Sequence, residues 1–295
     1  MKIAEAVEFG KNTLSSLFET DPQARTDSEI EREVNSNVYF LLSSLLKMSI
    51  PHIKFNSTLE LKPEQVKMYQ SWLERRLTLE PVQYITGETE FWSLPIMVGE
   101  GVLVPRQDTE SLITEVKKHF NDTKGEYRFL DMCCGSGCIG IGLLNVFPNS
   151  SVKFMDKYQK PIEYTKKNLS NLGLEKRADV VVSDMFNDIG NDEKFDAIVS
   201  NPPYIPAEDL KNMSIQITLF EPIEALKAGE SGLIFHEMFA LQAKKYLKPN
   251  APLFLEIGYN QAEDVLKLFS SAGWPDPKVL LDMAGKPRVL FVKNN

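Results

Sequence analysis

The segment FDAIVSNPPYIP, residues 195–206, places residues that can hold a planar group directly after an apolar run typical of a buried strand. Prolines neither donate to a sheet ladder nor continue a helix, so Asn201, Pro202, Pro203 and Tyr204 must leave the sheet in a stiff shape. An asparagine oxygen and a backbone carbonyl held in this way can each accept one hydrogen of an amide or amino group. The tyrosine ring can stack on the same group.

Acidic residues and glycines follow three further apolar runs. FLDMCCGSG places Asp131 at a strand end and lets Gly135 and Gly137 turn the chain into a helix, where glycine allows a ligand to approach the backbone. VKFMD ends in Asp156, which suits the two hydroxyls of a ribose, and VVVSDMF contains Asp184, which suits an adenine amino group. Because ligands of parallel sheets bind at the carboxyl ends of the strands, these residues predict a nucleoside site.

Each of these features also has a purely structural interpretation. A small-residue turn between a strand and a helix often serves close packing, and dinucleotide-binding proteins use a related loop. Asp156 can cap the helix that starts near Pro161, and Asp184 can be a solvated turn residue. Only the ordered combination favours a nucleoside ligand.

The elements that must position these residues alternate between strands and helices beyond residue 125. Strands are predicted at residues 128–131, 152–156, 179–184, 195–200, 252–257, 278–281 and 288–292. Helical patterns separate the first five, which predicts an α/β fold with a parallel, doubly wound, Rossmann-like sheet. The short DMAGKP segment between the last two predicts an antiparallel hairpin.

The first part of the chain has a different character. Apolar residues recur at helical spacing from Ile3 to Phe18, and Thr26 with Glu29 predicts a capping box. Two β-like runs around GEG, within residues 86–104, predict a hairpin. We therefore expect a helical domain at residues 1–80, a linker and β-hairpin at 81–105, and a catalytic domain at 106–295.

Composition limits the function classes. A formal net charge of −8 in 295 residues lacks the bias of proteins that bind nucleic acid through phosphate contacts. The three cysteines lie close together and the three histidines are scattered, which favours free thiols in a reducing compartment and no metal site. No apolar run is long enough to span a bilayer, and MKIAEAVEFGKN does not resemble a signal peptide, so a cytoplasmic protein without membrane contact is expected.

DMCCGSG, MDK, SDMF and SNPPYIP, in this order, resemble the motifs of class I S-adenosylmethionine-dependent methyltransferases that act on planar nitrogens. NPPY alone is shared with enzymes that methylate DNA and RNA. YITGETEFW, PRQDTE, EPIEALKAGESGL and LEIGYNQ narrow the resemblance to the HemK or PrmC family, the peptide chain release factor glutamine methyltransferases, over essentially the whole chain. The resemblance implies a seven-stranded methyltransferase sheet behind a small helical domain.

It also implies an activity: transfer of a methyl group from S-adenosylmethionine to the amide nitrogen (N5) of the glutamine in the GGQ motif of class 1 release factors, with S-adenosylhomocysteine as product. Asn201, Pro202 and Tyr204 would be catalytic. Substrate-binding residues would be Phe91, Arg106, Glu110, Asn201, Pro202, Pro203 and Tyr204. Cofactor-binding residues would be Asp131, Met132, Cys133, Cys134, Gly135, Gly137, Asp156, Asp184, Met185 and Asn201.

Several alternatives stay open at the level of sequence. Cys133 replaces a usual glycine; a positive φ there would strain the cysteine, and simple packing is the interpretation we favour. Arg106 and Glu110 can instead form an exposed ion pair. A ribosomal-protein glutamine methyltransferase, a nucleic-acid adenine N6-methyltransferase and an inactive adaptor are competing functions. We expect a monomer, a release factor as partner and no direct contact with nucleic acid.

Overall fold

The computed structural model describes residues 1–15, 17 and 26–295. Backbone contacts divide it into two compact units, Met1–Glu88 with Asn212–Glu221 and Thr89–Lys211 with Pro222–Asn295. The first unit thus receives a short segment from late in the chain. Phe18, part of the predicted helical pattern, lies outside the described residues, and the functional division at residues 80 and 105 stays a prediction.

The helices are α1 Ile3–Leu14, α2 Asp27–Leu46, α3 Ile50–Phe55, α4 Pro63–Leu77, α5 Val82–Thr86, α6 Glu110–His119, α7 Cys138–Val146, α8 Gln159–Asn171, α9 Ile215–Phe220, α10 Ile234–Gln242 and α11 Ala262–Ser271. The strands are β1 Glu88–Phe91, β2 Leu94–Met97, β3 Arg128–Met132, β4 Ser151–Asp156, β5 Ala178–Val182, β6 Ala197–Ser200, β7 Pro252–Glu256, β8 Lys278–Leu281 and β9 Pro287–Lys293. Short 3₁₀ helices lie at Gln107–Thr109, Glu175–Arg177, Asp209–Asn212, Ile223–Ala225 and Ala243–Tyr246.

The first unit is helical and has its own apolar core, which includes Leu14, Val38, Leu41 and Tyr69. Its predicted capping box is confirmed, since Glu29 Oε2 accepts the backbone N–H of Thr26 at 2.8 Å. Such a box satisfies N–H groups that a helix leaves without partners at its first turn.

Arg76 of α4 is a buried charge inside this unit, with 1% of its surface exposed. Its guanidinium donates to Asn37 Oδ1 at 2.5 Å, to the carbonyl oxygen of Glu80 at 3.2 Å and to Gln216 Oε1 at 2.8 Å. Hydrogen bonds of this kind offset the cost of burying a charge. Because Gln216 belongs to α9, they also attach the late segment to the helical unit.

The second unit contains the sheet. Among the described residues, seven strands form one sheet in the order β5-β4-β3-β6-β7-β9-β8, in which the first five are parallel to one another and β9 runs antiparallel to both of its neighbours, β7 and β8. The predicted α/β fold and the seven predicted strands of this sheet are confirmed, but the expected helix between the third and fourth of them is absent, since turns connect β5 to β6. The chain first builds outward from β3 to β5 and then returns to place β6 on the other side of β3. This reversal creates a switch point at the carboxyl ends of β3 and β6.

The predicted hairpin exists, but its turn was placed wrongly. β1 and β2 are joined by Trp92 and Ser93, with φ values of 52° and 57°. Two consecutive residues with positive φ match the twist of a two-residue hairpin, although Asn and Gly are the residues that favour it. Glu110 Oε1 accepts the Trp92 N–H at 2.7 Å and so fixes the turn. The GEG segment forms a separate turn in which Gly101 has a φ of 86°.

Candidate active site

A cavity of about 360 Å³ lies in the second unit at the carboxyl ends of the parallel strands. Its volume is in the range of sites for small molecules. The lining residues are Gly101, Val102, Leu103, Met132, Cys133, Gly135, Asp156, Lys157, Tyr158, Lys160, Pro161, Ser183, Asp184, Met185, Asn201, Pro203, Pro222, Glu224, Ala225 and Phe235. The cavity therefore brings together residues from all four of the strand ends that the sequence singled out.

The two glycines after β3 have different roles. Gly135 lines the cavity with a φ of 56°, and a Cβ there would meet only Val102, at 3.9 Å. Gly137 has a φ of 79°, and a Cβ there would lie 2.9 Å from Thr165 Cγ2. Gly135 therefore leaves backbone open to a ligand, whereas Gly137 permits close packing of α7 against α8.

Asp156 supports the glycine turn and still faces the cavity. Its Oδ2 accepts the Gly135 N–H at 3.0 Å, and its Oδ1 accepts the N–H of Tyr158 at 3.1 Å, just before α8. Burial raises its pKa, although these backbone hydrogen bonds oppose the rise. A carboxylate has about four lone-pair positions, so Asp156 retains capacity for two further donors such as ribose hydroxyls.

Asp184 is paired on the same cavity wall. Its Oδ2 lies 2.8 Å from Lys157 Nζ, and both side chains are about half exposed, at 50% and 53%. Because one oxygen of a carboxylate is enough for a lysine, the pair leaves Asp184 able to accept from a ligand. Met185, buried beside it, adopts a φ of 52°.

Cys133 lies at the position where the related family usually has glycine, and its φ is 56°. Simple packing therefore does not describe it fully: the position needs the left-handed conformation, which strains a residue with a side chain. The thiol also packs, with Sγ 4.0 Å from Met185 Sδ. Burial raises the pKa of the thiol above its usual value, which makes it a poor nucleophile.

Asn201 has a defined orientation at the end of β6. Its Nδ2 donates to Thr109 Oγ1 at 3.2 Å. Within the described part of the chain, no donor lies within hydrogen-bond distance of its Oδ1. The side chain is thus held by its nitrogen, and its oxygen remains able to accept from a substrate.

Tyr204 is held at both its backbone and its hydroxyl. Gln261 Nε2 donates to the Tyr204 carbonyl oxygen at 2.8 Å, and the Tyr204 hydroxyl donates to Glu256 Oε1 at 3.3 Å. Gly232 packs so closely that a Cβ would lie 2.7 Å from the Tyr204 carbonyl oxygen. The later motifs AGESGL and LEIGYNQ therefore support the chain that carries NPPY.

Ser200 fixes the two central strands beside this segment. Its hydroxyl donates to the Met132 carbonyl oxygen at 2.5 Å, which joins the carboxyl ends of β3 and β6. Beyond Tyr204, Ile205 donates its N–H to the Leu226 carbonyl oxygen at 2.9 Å. NPPY is thus anchored on both sides.

Other predicted site residues do not line the cavity, and their proposed roles stay predictions. Asp131 is fully buried, and its Oδ2 accepts the Gly140 N–H of α7 at 2.8 Å. Cys134 is buried, and its Sγ lies 3.5 Å from the Thr165 hydroxyl oxygen. Phe91 is buried. Arg106 donates to the Val104 carbonyl oxygen at 3.1 Å, and Glu110, Pro202, Gly137 and Tyr204 also lie outside the lining set.

Sequence reasoning missed several residues of the site, among them two groups on separate elements. Gly101, Val102 and Leu103 line the cavity from the turn after the hairpin, and the glycines of GEG are their only signal in the sequence. Thr109 and Glu256 contact Asn201 and Tyr204 through their side chains. Both lie in motifs that carried the family resemblance, PRQDTE and LEIGYNQ, but no local pattern distinguishes them from their neighbours.

Comparisons with known proteins agree with this geometry. Residues 107–236 match the Methyltransferase small domain family, and residues 25–87 match the PrmC N-terminal domain family. The chain is 37% identical over 241 residues to the release factor glutamine methyltransferase of Thermodesulfovibrio yellowstonii, covering 80% of this chain and 84% of that one. The chain belongs to the release factor glutamine methyltransferase family.

Further relatives extend this picture. The release factor glutamine methyltransferase of Clostridium botulinum is 34% identical, with 85% of this chain and 88% of that one covered. The bifunctional methyltransferase of Rickettsia typhi is 36% identical over 85% of this chain, which spans 52% of its length. The family resemblance inferred from the motifs is therefore confirmed.

Solved structures support the fold. The catalytic domain of hMettl16, in complex with a MAT2A 3′UTR hairpin, aligns with a TM-score of 0.56 and 16% identity, covering 81% of this chain and 84% of that one. The T. thermophilus 16S rRNA methyltransferase RsmC, in complex with AdoMet and guanosine, aligns with a TM-score of 0.50 and 16% identity, covering 70% and 50%. At these identities the likeness shows a methyltransferase fold only.

No helix within residues 1–15 and 26–295 combines the length and apolarity needed to cross a membrane. No group of three or more His, Cys, Asp or Glu side chains among the described residues is arranged to hold a metal ion.

Proposed function

We propose that this enzyme methylates N5 of the glutamine in the GGQ motif of class 1 peptide chain release factors, with S-adenosylmethionine as methyl donor and S-adenosylhomocysteine as product. The observation that carries the proposal is the orientation of Asn201, whose nitrogen is bonded to Thr109 while its oxygen is left to accept an amide hydrogen. Membership of the release factor glutamine methyltransferase family supports the same substrate.

The cavity has groups that suit the cofactor. Asp156 would accept both ribose hydroxyls, and Asp184 with Met185, which line the same cavity, would border the adenine. The open backbone at Gly135 leaves room for the methionine part, which Met132 and Cys133 would border. When bound, S-adenosylmethionine supplies an electrophilic methyl group on a positively charged sulfur.

The difficulty of the reaction lies in the substrate. The lone pair of an amide nitrogen is delocalised into its carbonyl, so methyl transfer places positive charge on a poor nucleophile. Asn201 Oδ1 and the carbonyl oxygen of Pro202 can each accept one amide hydrogen, which orients the nitrogen and stabilises that charge with fixed dipoles. The prolines hold these acceptors rigid, so little entropy is lost when the amide binds.

The proton needs no strong base near the nitrogen. An N-methylated amide cation is very acidic and loses its proton readily after the transfer. The thiols of Cys133, Cys134 and Cys138 are not suited to covalent catalysis, since burial raises the pKa of all three. Direct transfer to nitrogen fits these residues better than a covalent enzyme intermediate.

Recognition of one glutamine among thousands requires a wider surface than the amide pocket. We propose that residues 1–80 and the hairpin within residues 86–104 bind the folded release factor, and that the two glycines of GGQ let its backbone into a narrow entrance. Release factors act in translation, which implies a cytoplasmic enzyme; we propose that it acts as a monomer. Its net charge of −8 favours a protein substrate over direct binding of nucleic acid.

Transfer of labelled methyl from S-adenosylmethionine tests the proposal. The purified enzyme is incubated with a class 1 release factor, with the same factor carrying glutamate in place of the GGQ glutamine, with ribosomal proteins and with adenine-containing DNA. We expect label only in the first and mapped to N5 of that glutamine. Label in a ribosomal protein or in DNA, without label in the release factor, would overturn the proposed substrate.

A further inference from the structure

Glu256, at the carboxyl end of β7, is a buried carboxylate next to the catalytic motif. Only 2% of its surface is exposed, and its Oε2 is buried without a hydrogen-bond partner among the described residues. Its Oε1 accepts the Tyr204 hydroxyl at 3.3 Å. A buried carboxylate that is incompletely paired lowers stability, so its presence calls for an explanation in function.

The charged groups around Glu256 do not neutralise it by direct pairing. Arg288 of β9 is near enough to lower the pKa of Glu256, but its guanidinium is bonded to Asp282 at 3.3 Å and to Asp108 at 3.1 Å. His236 of α10 faces only the Glu256 backbone oxygen, at 3.0 Å, and burial lowers its pKa to about 4. The Glu256 carboxylate is therefore left to the hydroxyl groups that point at it.

Thr109 connects this carboxylate to Asn201. The Thr109 oxygen accepts the Asn201 Nδ2 hydrogen at 3.2 Å, so the single hydroxyl hydrogen of Thr109 is free to be donated elsewhere. The Glu256 carboxylate is near enough for the Thr109 hydroxyl to lower its pKa, and its buried Oε2 has no other partner among the described residues, so it is the acceptor within reach of that hydrogen. A directed chain therefore runs from the Asn201 amide through the Thr109 hydroxyl to Glu256.

The direction of the chain matters for the proposed reaction. An ionised Glu256 accepts only, so Thr109 must present its lone pairs to Asn201, and Asn201 must present its nitrogen to Thr109. Hydrogen bonds in such a chain polarise one another in a low-dielectric interior. The Asn201 oxygen then carries more negative charge on the side where positive charge would develop.

We propose that Thr109 and the ionised carboxylate of Glu256 are positioning residues that set the orientation and polarity of the Asn201 amide, an inference that rests on the proposed function of Asn201. The same carboxylate holds the Tyr204 hydroxyl, so one group orders both side chains expected to hold the glutamine amide. Neither Thr109 nor Glu256 lines the cavity, which distinguishes them from residues that would touch the cofactor.

Protonation of Glu256 provides a way to test the chain. Burial raises the pKa of Glu256 to about 7, against a usual value of 4.5. A protonated Glu256 can donate, so Thr109 is no longer obliged to point its hydrogen away from Asn201. The turnover number should therefore rise with pH through about 7 and then level off, provided that methyl transfer limits the rate.

The kinetic experiment compares matched variants in the full chain. Thr109→Val removes the hydroxyl but keeps the shape of the side chain. It should lower kcat about tenfold, because one oriented hydrogen bond is lost, and it should change the cofactor affinity little. Thr109→Ser should restore most of the lost rate. Glu256→Gln should give a low kcat that no longer depends on pH near 7. Glu193→Gln, a carboxylate variant at the opposite end of the strands, should behave as wild type.

A second measurement does not require turnover. The side-chain amide signals of Asn201, identified by their loss in Asn201→Ala, should shift with a midpoint near pH 7 in the nuclear magnetic resonance spectrum of the wild type. They should not shift with that midpoint in Thr109→Val or Glu256→Gln. The positioning role would be overturned if the Asn201 side-chain signals of the wild type did not shift with pH, or if the Thr109→Val enzyme had the kcat of the wild type.

These outcomes are separable from failure of the proposed function. A wild-type enzyme that leaves the release factor unlabelled refutes the substrate, and the resonance measurement still decides whether Glu256 controls Asn201. If the wild-type enzyme labels the factor but either the kinetic or the resonance measurement gives the contrary result, only the positioning role is refuted.

Discussion

The two ends of the parallel strands carry carboxylates in opposite electrostatic situations. At the amino ends, Glu193 Oε1 lies 3.0 Å from Lys153 Nζ, and Asp196 Oδ1 lies 2.8 Å from Lys248 Nζ. Burial alone would raise the pKa of Glu193, but hydrogen bonds from Gly190 and Lys153 outweigh burial and hold the pKa below its usual value. These charges are paired and favour the folded state.

At the carboxyl ends, burial dominates. It raises the pKa of Asp131 to about 8 and that of Glu256 to about 7, and it also raises the pKa of Asp156. Asp131 and Glu256 each keep one buried oxygen without a partner among the described residues. The same residue type thus supports folding at one end and lowers stability at the other, where the site lies. Perturbed carboxylates of this kind are typical of functional sites.

The largest effect is expected for the cofactor contact. Asp156→Ala should weaken S-adenosylmethionine binding by on the order of 2 to 4 kcal/mol, since two charge-assisted hydrogen bonds are lost. Asp179→Ala is the matched control. Asp179 forms an ion pair with Lys153 near the amino ends of the strands, so its loss should leave the cofactor affinity unchanged. Calorimetric titration measures both. Equal affinity of wild type and a folded Asp156→Ala enzyme would remove Asp156 from the cofactor site.

The next effect concerns chemistry rather than binding. Asn201→Ala removes one of the two proposed acceptors of the amide hydrogens and should lower kcat by roughly 100-fold, by analogy with loss of one hydrogen-bonding group from an oxyanion hole. Circular dichroism and calorimetry should show an intact fold with bound cofactor. Near wild-type turnover at saturating cofactor and substrate would contradict the role assigned to NPPY.

Stability should respond in opposite directions at the two ends. The pKa of folded Glu256 is raised from 4.5 to about 7, so the folded state holds its proton more tightly, and this contribution to stability is lost as pH rises through 7. Above pH 7 the ionised carboxylate costs about 3 kcal/mol. Glu256→Gln should therefore raise the melting temperature at pH 8, and the gain should shrink toward pH 5.

Glu193→Gln is the comparison for that measurement. It removes a paired charge whose folded pKa is lowered, so it should decrease stability at pH 8, with the loss fading as pH falls below the usual carboxyl range. Thermal denaturation of both variants at pH 5 and pH 8 checks the pair. If both variants change the melting temperature in the same direction at pH 8, the proposed contrast between the two strand ends is wrong.

The smallest effect is expected at Cys133. Its φ of 56° destabilises the folded state of any residue with a side chain by roughly 1 to 2 kcal/mol. Glycine avoids this strain but loses more conformational entropy on folding, which offsets part of the gain. Cys133→Gly and Cys133→Ala lose the same thiol contact, so their difference isolates the strain. We expect the glycine variant to be more stable by about 1 kcal/mol in urea denaturation. A more stable alanine variant would show that the turn tolerates a side chain.

The hairpin shows where local patterns mislead. Its turn residues, Trp92 and Ser93, have no preference for positive φ, and the nearby glycines of GEG carried the stronger turn signal. The hydrogen bond that the Trp92 N–H donates to the Glu110 carboxylate, which belongs to another element, holds the turn at its observed place. Tertiary contact therefore overrode the propensity on which the prediction relied.

The sequence by itself determined the strands, the polar residues that follow them and the family. Apolar runs and the residues directly after them are local properties of the chain, so they can be recognised without the tertiary structure. Asp156, Asp184 and Asn201 were found in this way, and all three line one cavity. Only the tertiary structure decided which buried groups act together. Thr109, Asn201 and Glu256 come from separate elements. The Asn201–Thr109 hydrogen bond and the proximity of Glu256 depend on the strand order, which reverses between β3 and β6 and brings these elements to one edge of the sheet.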